Sequence, residues 1–142
     1  MNKNEDEQHL KLLSTFHYVV GGVAGLFACF PIIHLVVGIA ILISSFTQPS
    51  QSGPPALFGL FFIVLAGSFI LFGWAFAICI ILAGRFIAKR KNYMFCLVMA
   101  GVECMFTPFG TVLGVFTIIT LVRSSVKEIF EAQASSSSPK AA

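Results

Sequence analysis

Charge is what this chain of 142 residues has least of. Asp, Glu, Lys and Arg together make up 11% of it, against about a quarter in an average soluble domain. From Leu12 to Gly84 none of the four occurs at all. A water-soluble fold does not cover so long an uncharged stretch, which excludes an ordinary globular domain. Metal and redox motifs are missing too: Cys29, Cys79, Cys96 and Cys104 lie in apolar runs with no Cys-x-x-Cys pair, the setting of cysteines that pack as small apolar groups. There is no Gly-rich phosphate loop, and Ser14, Ser44 and Ser68 have no acidic or basic helper nearby in sequence. No enzyme activity, metal or cofactor is expected. Haem ligation by His17 and His34 is disfavoured, because on one helix they stand about 25 Å apart along the axis.

What remains is apolar. Residues of that class make up 57% of the chain, Phe alone contributes 16, and the mean hydropathy is +0.92. These values predict an all-α integral membrane helical bundle built from three long apolar blocks, two of them broken by proline. The expected organisation is a polar N-terminal segment (1–11), a membrane domain (12–122), an amphipathic surface helix extension (123–133) and a disordered tail (134–142). The net charge of +3 comes largely from a single basic knot, Arg85, Lys89, Arg90 and Lys91. That is a topology signal and a place for anionic lipid headgroups, and too narrow a surface for nucleic acid.

Block one, Leu12 to Phe46, would run about 52 Å as one helix, well beyond the roughly 30 Å hydrocarbon core. Pro31 near its middle allows one kinked helix or a tight hairpin, and His17 with Tyr18 suits an interfacial start to the kinked form. The uncharged connector from Thr47 to Pro55 is a loop on the translocated side. In block two, Ala56 to Phe86, a stripe of Phe58, Phe62, Leu65, Phe69, Phe72 and Phe76 follows helical spacing. Beside it Gly59, Ala66 and Gly73 recur every seven residues, joined by Ala77 and Gly84, as a close-packing seam, and Gly21 with Gly25 and Gly110 with Gly114 repeat the small-residue theme elsewhere.

Block three, Tyr93 to Val122, is interrupted by Thr107-Pro108-Phe109-Gly110. A break at Pro108 would give two crossings there and four in all. The N-terminus, the basic knot, Arg123 and Lys127 would then all lie in the cytoplasm. A short ungapped match between blocks one and three is too slight to establish a repeat.

Glu103 is the one acid inside an apolar block, and a charge there costs at least a few kcal/mol unless paired, protonated or wetted. Two readings are open for it: a helix-contact residue, with Arg85 as a reasonable partner, or a carboxylate that handles protons or cations. His34 could bond a carbonyl freed by Pro31, and Thr107 and Thr111 could line a polar pocket or bond their own helix backbone.

The run Pro108-Phe109-Gly110-Thr111-Val112-Leu113-Gly114-Val115-Phe116-Thr117 resembles a motif, P-F-G-T-x-L-G-x-F-T, of a family of small bacterial inner-membrane proteins. His17-Tyr18-Val19-Val20-Gly21-Gly22 and Phe30-Pro31-Ile32-Ile33-His34 look like the N-terminal part of the same group. The resemblance implies a multi-pass fold in the cell inner membrane and brings no activity with it. Together these readings favour a non-enzymatic protein working by helix packing, surrounded by lipid, as a homo-oligomer or a subunit of a larger membrane complex. The alternative is an ion or proton channel or a small transporter using Glu103 and the Pro31 and Pro108 breaks.

Overall fold

The computed structural model describes residues 3–47, 56–106 and 109–137. Six helices occur among them: α1 (Lys3–Phe27), α2 (Ile32–Thr47), α3 (Ala56–Lys89), α4 (Tyr93–Glu103), α5 (Phe109–Leu121) and α6 (Ser124–Ser137). The all-α expectation is met. The chain divides into two compact units, residues 23–77 and, around them in sequence, residues up to 22 together with 78 onward.

The 23–77 unit is an antiparallel pairing of α1–α2 with α3, and small residues set its spacing. A Cβ on Gly38 would stand 3.0 Å from the Gly59 carbonyl oxygen, and one on Gly59 would stand 2.8 Å from the Gly38 oxygen. Further along, Gly73 faces Ala28 and Gly25 faces Ala77, while Ala66 is buried. The partners on α3 move steadily backward, from 77 to 73 to 59, as those on α1–α2 advance from 25 to 28 to 38. The chain therefore keeps its direction through Pro31, and the break is a kink. Its turn is closed by three-residue backbone bonds such as Cys29 N–H to Leu26 O at 3.1 Å and Phe30 N–H to Phe27 O at 3.0 Å. The Phe58, Phe69 and Phe72 side chains of the aromatic stripe are exposed.

The other unit gathers the start of α1, the end of α3 and helices α4 to α6. Its core holds Leu10 and Leu13 of α1, Ile87 of α3, Cys96 of α4, Leu113 and Leu121 of α5, and Val126 and Phe130 of α6. Helices α4 and α5 form an antiparallel hairpin. At one end the Tyr93 hydroxyl donates to the Leu121 carbonyl (3.1 Å), and at the other the Thr111 hydroxyl donates to the Cys104 carbonyl (2.9 Å). Removing the first of these bonds by Tyr93→Phe should cost about 1 kcal/mol in an unfolding titration while leaving the ring's edge-on contact with Phe130 in place.

Four crossings are not what this fold provides. Among the described residues only two helical segments, 5–47 and 56–89, are long and apolar enough to cross a membrane. With 11 and 13 residues, α4 and α5 rise about 16 and 20 Å, short of a roughly 30 Å core. The break in block three folds it back on itself, and the two half-length helices bury their facing sides against each other. Pro108 and Thr107 lie outside the described residues.

Helix α1 starts at Lys3, with Asp6 and Leu10 buried, and α6 continues to Ser137, past the expected boundary at 133.

Candidate functional site

The buried polar side chains of the described residues are Asp6, Ser14, His17, Glu103 and Thr117, all in the unit formed by the chain's two ends. Three of them sit on one face of α1, where Asp6, Leu10, Leu13, Ser14, His17 and Gly21 recur at helical spacing and are all buried. That face meets the end of α3 closely. The Ser14 hydroxyl donates to the Gly84 carbonyl at 2.8 Å, and a Cβ on Gly84 would stand 2.8 Å from the His17 Cβ. Only glycine at 84 admits the imidazole there.

Beyond Gly84 the ring reaches α4. His17 Nε2 lies 3.3 Å from Glu103 Oε2, with the two side chains 0% and 1% exposed. His17 Nδ1 lies 2.9 Å from the Leu13 carbonyl oxygen. A carbonyl oxygen only accepts, so Nδ1 carries hydrogen and Nε2 is the atom turned to the carboxylate. Nε2 and both Glu103 oxygens have no well-aligned hydrogen bond among the described residues. The buried Thr117 hydroxyl of α5 donates to the Leu113 carbonyl of its own helix at 2.7 Å.

The partner of Glu103 is thus His17, where the sequence pointed to Arg85. Arg85 is exposed, as are Lys89 and Lys91. Arg90 turns to the N-terminal acids instead, its Nη2 lying 3.1 Å from Glu7 Oε1, while Arg123 Nη1 lies 3.7 Å from Asp6 Oδ1. His34, in the 23–77 unit, is exposed and lies against aromatic rings, its centroid 5.9 Å from that of Phe30 and 6.3 Å from that of Phe62. Thr111 returns its hydrogen bond to the backbone of the α4–α5 turn.

Among the small residues, Gly21 is buried, and Gly25, Gly59, Ala66 and Gly73 line the seam already described. Gly110 and Gly114 press on the C-terminal end of α4. A Cβ on Gly110 would stand 3.0 Å from the Phe106 Cβ, and one on Gly114 would stand 2.9 Å from the Cys104 nitrogen. Sequence reasoning passed over His17 as a site, along with Ser14 and Gly38, and placed Gly84 only in the packing seam. The signal available for His17 and Ser14 was the run of polar and small residues along one face of α1, in a segment too apolar for that face to meet lipid.

No family model, curated protein or solved structure matches the chain. Among the described residues no group of three or more His, Cys, Asp or Glu side chains is placed to hold a metal ion. The chemistry on offer is that of one buried imidazole–carboxylate pair.

Proposed function

We propose that this chain is a multi-pass protein of a bacterial inner membrane that carries no enzyme activity and acts through helix packing, as a homo-oligomer or an accessory subunit of a larger membrane complex. The observation that carries the reading is the outward face of its two long helical segments. Only 11% of the most apolar window of each is buried, so those side chains require lipid or other helices as cover. On α3 the exposed Leu60, Val64, Leu71 and Trp74 share a helical face with Gly67, which has nothing within 4 Å of where its Cβ would stand. A notch beside large apolar knobs is the kind of surface by which membrane helices associate.

Two crossings, with the α4–α5 hairpin entering and leaving on one side, keep the N-terminus, the basic knot, Arg123 and Lys127 on the cytoplasmic face. The Glu7–Arg90 and Asp6–Arg123 pairs support that placement, because they bring all three basic regions of the chain's ends together. The test is the mass and composition of the particle extracted in mild detergent or native lipid discs. A compact oligomer or stoichiometric recovery with a larger assembly is expected. A lone chain in both media would sink the reading.

A second reading, an ion or proton channel or small transporter, draws on Glu103. A carboxylate buried in an apolar helix and set against an imidazole is the usual composition of an intramembrane proton site. Flux through reconstituted vesicles that survives Glu103→Gln would count against it.

A further inference from the structure

We propose that His17 and Glu103 together form a proton-binding site that holds one proton between Nε2 and Oε2, and that this proton ties α1 to α4.

The argument is one of donors and acceptors. Nδ1 has its hydrogen committed to the Leu13 carbonyl, so a neutral imidazole presents a bare lone pair at Nε2. An ionised carboxylate likewise presents only lone pairs. At 3.3 Å, with both side chains out of reach of solvent, those two acceptors repel unless a proton lies between them. Two arrangements satisfy the geometry: imidazolium with carboxylate, or imidazole with carboxylic acid. Both contain the same proton, and the composition of the site is therefore fixed even though its owner is shared.

Among the described residues no other side chain donates a hydrogen bond to the pair. On α1 the Ser14 hydroxyl is spent on Gly84, and Lys11 and Tyr18 are exposed. On α3 the nearest charge is Arg85, also exposed. The titratable residues on α4 besides Glu103 are Tyr93, whose hydroxyl donates to the Leu121 carbonyl, and Cys96, whose sulfur lies 3.8 Å from the carbonyls of Ala83 and Lys91, and Cys104 follows Glu103 at the helix end. Helix α5 contains no titratable residue. Loss of the proton would leave α1 and α4 joined by two facing lone pairs, so the ligand of this site also governs the junction. The inference deepens the second functional reading by naming the proton as the ligand, and it does not require that the proton be conducted.

The experiment uses the full chain in lipid discs with His9→Asn and His34→Asn, which leave His17 as the one histidine without altering the pair. Nitrogen-15 spectra of the imidazole are recorded alongside infrared spectra of the carboxyl region, each with and without Glu103→Gln. Support comes from either an imidazolium signal at His17 or a carboxylic-acid band that disappears in Glu103→Gln. A neutral His17 with a free Nε2 beside an ionised Glu103 overturns the proposal. Should Glu103→Gln fail to fold, the imidazole signal together with specific carboxyl labelling of glutamate still decides the question. Proton flux into vesicles is read separately: the proton signature without flux keeps the site and removes the channel reading.

Discussion

Truncating either partner of the buried pair, as His17→Ala or Glu103→Ala, is expected to lower unfolding stability by about 3 kcal/mol. Removing one member of a buried, mutually dependent pair leaves the other without compensation, and the effective penalty falls in the range of about 3–5 kcal/mol. The cavity adds to it, since both side chains are fully enclosed. The double replacement His17→Leu with Glu103→Leu should recover most of the loss, because it removes both polar groups while keeping apolar bulk between α1 and α4. Unfolding followed by circular dichroism in one detergent for these chains and for the double truncation, His17→Ala with Glu103→Ala, would give the coupling directly. Additive effects of the two single truncations would show that the residues do not act as a pair.

The second large effect concerns glycines, and here the sign of the change depends on position. Gly→Ala within a helix ordinarily stabilises by about 0.5–1 kcal/mol. Gly101 has nothing within 4 Å of a new Cβ, so Gly101→Ala should show that gain. At Gly114 the same methyl would meet the Ala100 carbonyl oxygen, the Cys104 sulfur at 2.6 Å and the Cys104 nitrogen at 2.9 Å. Most of that is backbone, which cannot rotate away. Gly114→Ala should therefore destabilise by about 1–3 kcal/mol by prying α5 off α4. Gly59→Ala should behave alike, since its Cβ would stand 2.8 Å from the Gly38 oxygen and 2.9 Å from the Leu42 nitrogen. A stabilising outcome at Gly114 or Gly59 would mean that the helices are not held at this separation.

Several parts of this molecule could be read from residues alone because they depend on nearest neighbours along the chain. Helix follows from long apolar runs in which every backbone group must find its partner locally. The seam of Gly59, Ala66 and Gly73 was legible because a seven-residue recurrence keeps small side chains on one helical face. The sequence also marked Glu103 as costly, which is a property of a carboxylate among apolar residues whatever lies opposite it. Its partner was another matter. His17 stands 86 positions away, and its place beside Tyr18 suggested an interfacial start to the helix, which the burial of Leu10, Leu13 and Ser14 on the same face overrides.

Proline shows the same boundary. A proline states that the helical hydrogen-bond ladder is interrupted, without stating the angle that results. At Pro31 the chain continues in its direction because Gly25, Ala28 and Gly38 all find places along one partner helix. In block three the break reverses the chain because Gly110 and Gly114 let α5 lie back on α4. The sequence by itself determined a charge-poor, helical, close-packed chain with two interruptions and one acid isolated in an apolar run, since composition and local periodicity set those. Only the tertiary structure decided that two segments and not four are long enough to cross, and that the acid meets His17. Reversal angles and partners far apart in sequence depend on which surfaces can approach, and that is a property of helices already packed.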